Sequence, residues 1–412
     1  MATITNVYEV NIRQYTSTGT IDAFSEHLPR LSEMGVEVLW LMPIFPISKT
    51  KRKGSLGSYY APSDYKSIHS ELGDIQSFRK LVTTAHGLGM KVLLDWMANH
   101  TGWDHIWLQE HPEFYHKDEA GQIREPYDKN GNPMGWSDVA HLNYQNEALW
   151  EAMIECMSYW VDTFHIDGFR QDMAMLVTNN FWKHAVPRLR EKNPNLIFIA
   201  ESEEENHIQE CGFNFHYGWK FHHLINEVAR NEAEVHLLFD YLQANISILK
   251  HKLLFTSNHD ENSWSGSEIK RMGEAYQCFA ALTYLIGGVP LVYSGQEEPN
   301  PKTIAFFDKD DIGFKHFALH DFYKKLNMFF KYLQNESSKR HVRFELLNKS
   351  ILYVHQISMQ NEVYAYFNLS NQKCRCILPQ KVGGYDALSG EIHNFDGGSE
   401  MALAPWNFVV FH

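Results

Sequence analysis

Four segments of the chain place reactive side chains directly after apolar runs. The segments are Asp95–His100, Asp167–Asp172, Ala200–Ser202 and Ser257–Asp260. They contain carboxylates, imidazoles and one guanidinium, which are groups that transfer protons or attack carbon as nucleophiles. If the runs are neighbouring strands of one sheet, these side chains converge on one edge.

Arg170 and Asp172 lie two residues apart at the end of one such run. Because side chains of a strand alternate between its faces, both point to the same side. An arginine beside a carboxylate keeps it ionised and orients it, which suits a nucleophile. A single strand-end aspartate is more often a turn or helix-cap residue, so the prediction depends on the joint pattern.

The apolar runs themselves indicate the scaffold. Several of them are apolar at nearly every position, as is typical of strands buried on both faces. Alternation of eight such strands with helices predicts a (β/α)8 TIM barrel, whose active sites lie at the carboxyl ends of the strands. The predicted strands are Val7–Tyr15, Val36–Ile44, Lys91–Asn99, Phe164–Asp172, Leu196–Ser202, Phe213–Trp219, Leu253–Asp260 and Val289–Gly295.

Helical periodicity separates the strands. Apolar residues from Leu149 to Trp160 recur at helical spacing, and those from Phe78 to Ala85 repeat the pattern before the third strand. Such a stripe predicts a helix that packs one face against the barrel.

Two regions depart from this alternation. Residues 101–142, after the third strand, are rich in turn residues, which indicates a functional loop or a small inserted domain. We therefore assign residues 1–100 and 143–344 to the barrel. Residues 345–412 are predicted to form a C-terminal antiparallel β-sandwich domain. Its predicted strands are Ser350–Ile357, Glu362–Phe367, Cys374–Leu378 and Phe408–His412.

Composition limits the partners and the location. The formal net charge of −13 argues against binding to nucleic acid or to an anionic membrane surface. The five scattered cysteines favour a reduced, cytoplasmic protein, and the N-terminus shows no signal-peptide pattern. A secreted protein whose signal peptide has been removed stays an open alternative.

The four segments resemble the four signature regions of the α-amylase family of glycoside hydrolases, in their order and in their strand assignment. Gly57–Tyr65 and Gly288–Glu297 are similar to the family's second loop and eighth strand. The inserted region and the C-terminal region look like its domains B and C. The resemblance implies a retaining enzyme that cleaves α-glucosidic bonds, with α-1,4 bonds of starch-like glucans or maltooligosaccharides expected, through a covalent glycosyl-enzyme.

Residue by residue, the resemblance implies that Asp172 is the nucleophile, Glu201 the general acid/base and Asp260 the transition-state stabiliser. Glu201 follows an apolar strand, and such a setting raises the pKa of an acid. The resemblance also implies that Tyr60, His100, Arg170 and His259 bind the substrate. Tyr60 would stack on the sugar, and the neighbouring Tyr59 is the alternative for that role.

One departure from the family concerns the acceptor side. Met175 and Leu176 stand where many α-amylases have a Lys-His pair that contacts the leaving-group sugars. An α-glucosidase or a glucanotransferase therefore stays open beside an endo-acting hydrolase. A non-catalytic carbohydrate-binding relative is less favoured, because it predicts losses among the three carboxylates and the chain retains all three.

A second departure concerns calcium. The resemblance marks Asn99 as a candidate calcium ligand, but His141 stands where the family usually has a carboxylate. Calcium prefers several oxygen ligands, and a neutral imidazole is a poor substitute. We therefore expect no required cofactor and no obligatory metal.

Overall fold

A computed structural model of the 412-residue chain describes residues 4–128, 130–335, 341–358 and 361–412. Residues 1–3, at the N-terminus predicted to carry no signal peptide, and Lys129 of the inserted region lie outside the described residues.

Eight parallel strands close into a barrel, which confirms the predicted fold class. Each strand pairs with the next one along the chain, and the last pairs with the first. All eight lie within predicted strands, except that the seventh begins one residue earlier. They are β1 (Val7–Val10), β2 (Val38–Leu41), β3 (Lys91–Trp96), β4 (Gly168–Gln171), β5 (Ile197–Ala200), β6 (Phe215–Tyr217), β7 (Lys252–Phe255) and β8 (Val289–Tyr293).

The interior of the barrel changes character along its axis. Its lower part is filled by apolar side chains such as Val38, Leu93 and Ile197. Because the side chains alternate, the next inward positions belong to residues near the carboxyl ends of the strands. Those positions include the charged residues Glu9 and Arg170, both fully buried. The charged side chains thus identify which of the two ends of the barrel carries the candidate site.

Helices surround the barrel and bury its outer face. The two predicted helices are present as Glu147–Phe164 and Ile75–Gly87, and their apolar stripes are buried. In the described part of the chain, no helix is both long enough and apolar enough to cross a membrane. The remaining α-helices are Ile12–Tyr15, Ile21–Ser25, Leu28–Glu33, Trp107–Glu110, Asn179–Lys192, Asn206–Gln209, Trp219–Ala229, Val235–Asn245, Glu268–Met272, Tyr276–Leu285 and His320–Asn335.

Short helical turns complete the connections. Most are 3-10 turns, and the segment after β7 is a π-helical turn. They are Pro112–Phe114, Ala174–Leu176, Leu249–His251, Glu261–Ser265 and Gly273–Ala275.

The inserted region begins and ends in a small antiparallel ladder. Strand His100–Gly102 pairs with Val139–His141, and His100 lies opposite His141. The ladder holds the two ends of the insertion together beside the carboxyl end of β3. The predicted domain boundaries themselves stay a prediction.

The C-terminal region is antiparallel, as predicted. One face of its four-stranded sheet, including Leu352 and Phe367, joins the core formed with the barrel helices. The opposite face, including Tyr353 and Tyr366, packs on two hairpins. The sheet strands are His341–Leu346, Ile351–Ile357, Glu362–Asn368 and Phe408–Phe411, and the hairpins pair Cys374–Ile377 with Glu400–Leu403 and Val382–Tyr385 with Ile392–Phe395.

Candidate active site

A cavity of about 380 Å³ opens at the carboxyl ends of the barrel strands. Six of the seven residues predicted for the site line it, and Arg170 lies fully buried beneath them. The six lining residues are Tyr60, His100, Asp172, Glu201, His259 and Asp260.

The backbone of the sheet fixes the first two carboxyl groups. The Asp172 amide donates a hydrogen bond to the Trp96 carbonyl at 2.9 Å, and the Glu201 amide donates to the Gln171 carbonyl at 3.0 Å. Each residue therefore continues the ladder by one bond past the end of its strand. Both side chains are buried and point into the cavity.

Arg170 joins the two carboxyl groups. Its Nη1 donates to Asp172 Oδ1 at 3.0 Å, and its Nη2 lies 2.8 Å from Glu201 Oε2. Nη1 also donates to Asp95 Oδ1 at 2.9 Å. Asp95 thus holds the guanidinium that orients both reactive groups. Its position at the end of the third apolar run pointed to the site, but not to this role.

The pKa values of the two carboxyl groups are linked. Burial, together with the charge of Glu201, raises the pKa of Asp172 well above its usual range, and Arg170 opposes the rise. Burial also raises the pKa of Glu201, again against Arg170. We expected Arg170 to keep Asp172 ionised and to orient it. Arg170 does lower the pKa of Asp172, but the loss of solvent and the neighbouring carboxyl group act in the opposite direction and outweigh it.

His259 carries a second buried charge. Its Nδ1 donates to Glu9 Oε1 at 2.5 Å, and its Nε2 lies 2.7 Å from the Tyr60 hydroxyl. Burial lowers the pKa of His259, but the Asp260 and Glu9 carboxylates outweigh it and raise the pKa to about 9. Sequence reasoning missed Glu9. The available signal was a charged residue inside the apolar run of β1.

Tyr60 links the two charged groups. Its hydroxyl donates to Asp95 Oδ2 at 2.9 Å and accepts a hydrogen bond from the cationic His259. The ring lines the cavity, whereas the alternative ring, Tyr59, packs beneath the Arg13 guanidinium at 3.9 Å. The geometry therefore favours Tyr60 as the ring that faces a bound molecule.

His100 approaches the cavity from the first residue of the ladder that holds the inserted region. Its Nε2 donates to the Tyr60 carbonyl at 2.9 Å, and burial lowers the pKa of the imidazole to about 4. His100 is therefore neutral at neutral pH, in contrast to His259. The site combines one neutral and one cationic imidazole.

Several lining residues lay outside the sequence prediction. They come from loops without periodic patterns, so no element assignment could have placed them. Aromatic rings predominate, and one ion pair accompanies them at the rim. They include Lys53, Trp136, Asp138, Trp264, Phe306 and Phe307.

The surroundings of Asn99 bear on calcium. Asn99 is buried, and its side-chain amide lies 3.3 Å from His100 Nδ1. The His141 ring lies 4.5 Å from that of His116, and burial together with the His116 and Arg124 charges lowers the pKa of His141 to about 3. The side chains around His141 are thus nitrogen bases and a cation, whereas calcium prefers oxygen ligands.

The sequence model of the family described as alpha amylase, catalytic domain, matches residues 10–310. The chain belongs to the α-amylase family. The match covers seven complete barrel strands and the segments that line the cavity.

Solved structures of the α-amylase family share the fold. An α-amylase from Lactobacillus plantarum is 26% identical, with a TM-score of 0.88, and the alignment covers 99% of this chain and 98% of that one. A maltogenic α-amylase from Thermotoga neapolitana, at 24% identity, has a TM-score of 0.86 with the same coverage. The second likeness shows the fold alone.

Curated relatives in the α-amylase family have several named activities. An α-1,4-glucan:maltose-1-phosphate maltosyltransferase from Salinibacter ruber is 33% identical over 233 residues, which cover 50% of this chain. A malto-oligosyltrehalose trehalohydrolase from Saccharolobus solfataricus is 28% identical over 344 residues, or 72% of this chain. The chain spans only 34% and 57% of these relatives' own lengths.

Proposed function

We propose that this chain is a retaining glycosidase that hydrolyses α-glucosidic bonds, with α-1,4-linked glucans or maltooligosaccharides as substrates. The observation that carries the proposal is the pairing of Asp172 and Glu201 across one buried guanidinium, at the floor of a cavity. Two carboxyl groups that share one guanidinium can act together on one anomeric carbon, as the retaining mechanism requires.

The first step forms the covalent intermediate. The Asp172 carboxylate attacks the anomeric carbon, and the bond from that carbon to the leaving oxygen breaks. The proton of Glu201 passes to that oxygen, so the departing sugar leaves as a neutral alcohol. Burial raises the pKa values of both coupled carboxyl groups, so the pair retains one proton, and the mechanism uses the state in which Glu201 holds it.

The second step releases the sugar. Glu201, now a carboxylate, takes a proton from water while the water oxygen bonds to the anomeric carbon. The bond to Asp172 breaks, its carboxylate is restored, and Glu201 is again protonated. Hydrolysis therefore consumes one water and leaves both side chains as they began.

The remaining residues hold the sugar at the reaction centre. Asp260 is one-third exposed at the cavity wall, where its carboxylate can accept hydrogen bonds from sugar hydroxyls and favour a positively charged ring. His259, as a cation, can only donate hydrogen bonds, His100 lines the cavity beside it as a neutral imidazole, and Tyr60 offers a ring face. Arg170 remains beneath the sugar, acting through the two carboxyl groups.

We further propose that the enzyme needs no bound calcium. The support comes from the nitrogen bases and the arginine around His141, which offer a cation little negative charge.

A glucanotransferase is the second candidate, in which a sugar hydroxyl replaces water in the second step. The apolar Met173 that lines the cavity beside Glu201, with half-buried Met175 and Leu176 following it, favours this reading. An apolar acceptor side retains few waters. Transfer would appear as products longer than the maltooligosaccharide supplied.

The decisive experiment uses wild type, Asp172→Asn and Glu201→Gln with maltoheptaose, and follows products by chromatography. Loss of either group should reduce kcat by at least roughly 1,000-fold, while the circular dichroism spectrum stays that of the wild type. Retained activity in Asp172→Asn would refute the assignment of the nucleophile. A folded but inactive wild type would refute the proposed function as a whole.

A further inference from the structure

The arrangement of the strands identifies the two ends of the cavity. The leaving sugar must lie next to the acid, so the acceptor end lies beside Glu201 and Met173, after β5 and β4. The order around the barrel places β8, β1 and β2 on the opposite side. The loops that follow β8 and β2 therefore surround the donor end, where the non-reducing part of a substrate would lie.

These two loops are joined to each other. In the loop after β2 (residues 42–74), the Ser55 amide donates to Asp308 Oδ1 at 2.8 Å. The Leu56 amide donates to the Phe307 carbonyl at 3.0 Å. Asp308 and Phe307 belong to the loop after β8 (residues 294–319). The two loops thus form one continuous wall.

The wall is anchored at its base and at its far edge. At the base, Gln14 Nε2 donates to the carbonyls of Ala305 and Asp308, both at 2.8 Å. At the edge, Lys53 Nζ lies 2.9 Å from Asp138 Oδ1 and donates to the Gly135 carbonyl at 3.1 Å. The wall therefore runs without a break from the loop after β8 to the inserted region.

Aromatic rings face the cavity along this wall. The Phe306 ring stacks on Tyr60 with centroids 6.2 Å apart and planes 13° apart. Trp264, from the turn after β7, lies 5.1 Å from Phe306 and 5.8 Å from Phe307. Trp264 is 60% exposed, which leaves part of its ring free at the mouth of the cavity. Exposed rings beside a polar centre suit the apolar faces of sugars.

The geometry points to a site closed at its donor end, which accepts the non-reducing end of an α-glucan chain and releases short saccharides from it. This inference rests on the proposed function and specifies which end of the glucan the enzyme acts on. A cavity of about 380 Å³ lies near the lower limit of the usual range for small-molecule sites, roughly 300–1,000 Å³, and suits a short saccharide. The remainder of the glucan would extend out of the cavity past Met173, along the apolar acceptor side.

The test compares two p-nitrophenyl maltoheptaosides, one with a free non-reducing end and one whose non-reducing end carries a 4,6-ethylidene group, with products resolved by chromatography. An enzyme that cuts within chains accepts both. The closed donor end predicts a kcat/KM at least roughly 100-fold lower for the blocked substrate, because the ethylidene group would clash with the wall. Similar cleavage of both would overturn the closed end and leave the proposed function intact. Inactivity on both would overturn the two together.

Variants test whether the wall causes the discrimination. Lys53→Ala combined with Phe307→Ala removes the edge contact and one ring, and should reduce the discrimination to roughly tenfold or less. Lys51→Ala is the matched control, since Lys51 lies in the same loop but packs over Trp103 at 3.4 Å, outside the lining. A double variant that keeps the wild-type ratio would show that this wall does not set the specificity.

Discussion

Arg170 is the residue around which the chemistry is arranged. Its guanidinium is fully buried and contacts the carboxyl groups of Asp95, Asp172 and Glu201. Because Asp172 and Glu201 share this one cation, they titrate as a pair with two macroscopic pKa values rather than independently. When the pair holds one proton, one carboxyl group is protonated and the other is a carboxylate, which are the acid and the nucleophile that the retaining mechanism needs.

The pair predicts a bell-shaped dependence of kcat/KM on pH. The enzyme should lose activity at low pH, when the second carboxyl group also binds a proton, and at high pH, when the pair has lost both. Since the pKa of each group is raised, the acid limb should lie above the ordinary aspartate pKa of about 3.9. Initial rates on a nitrophenyl maltoside across pH will check this. Glu201→Gln should abolish the alkaline limb, and an unchanged limb would refute the acid/base role.

Glu9 is predicted to keep His259 cationic. In Glu9→Gln the hydrogen bond to Nδ1 can persist and Asp260 still raises the pKa of His259, but the second carboxylate that raises it is lost. In the wild type the imidazole stays protonated up to about pH 9. The variant should therefore lose activity relative to the wild type between its own, lower His259 pKa and about pH 9. In that pH range we expect kcat/KM to fall about tenfold, which corresponds to the loss of one charge-assisted hydrogen bond. An equal loss at every pH would instead indicate that Glu9 only fills space.

At the scale of the elements, the barrel was predictable and its rim was not. Strands buried on both faces leave long apolar runs, so all eight could be located, and the residues that end them lead to the site. Trp264 and Phe306 lie on irregular segments whose positions depend on contacts with other loops. The sequence pattern of a single segment does not reveal such contacts. Residues 345–412 show the same limit. Four strands were predicted there, but Val382–Tyr385, Ile392–Phe395 and Glu400–Leu403 were missed, and so was His341–Leu346, which begins within the residues assigned to the barrel; many of their side chains are exposed, so they leave no continuous apolar run.

The first residue of β4 gives a prediction about how an element positions the site. Gly168 has φ of +154°, and a Cβ there would lie 1.9 Å from the Ile197 carbonyl oxygen of β5. Gly168→Ala should therefore push β4 from β5 and displace Arg170 and Asp172. We expect a loss of about 3 kcal/mol in the free energy of unfolding, from overpacking and backbone strain together.

Urea unfolding followed by tryptophan fluorescence measures this loss. Gly89→Ala is the matched control, because Gly89 also has positive φ (+79°) but no atom within 4 Å of a Cβ. Its cost should be only the backbone term, about 1 kcal/mol. Equal losses in the two variants would show that the contact between β4 and β5 is not the cause.

At the scale of the whole molecule, the sheet of the C-terminal region is fixed to the barrel by shared apolar core and by polar contacts. Gln356 Nε2 donates to the Leu285 carbonyl at 2.5 Å, and Lys325 Nζ donates to the Leu388 carbonyl at 2.6 Å. The inserted region is fixed by the ladder at His100 and by Lys53. Contacts among protein groups thus hold both regions against the barrel.

This arrangement predicts stability without calcium. If calcium bound the folded chain alone, a concentration of 100 times its Kd would stabilise it by about 2.7 kcal/mol, which is readily measured as a shift in Tm. Around His141, however, the chain offers His116 and Arg124, so binding there should be absent at millimolar calcium. We expect the same Tm and the same kcat in excess EDTA and in excess calcium. Magnesium serves as the control for ionic strength. A fall in Tm with EDTA that calcium restores and magnesium does not would show a specific calcium site and overturn the proposal.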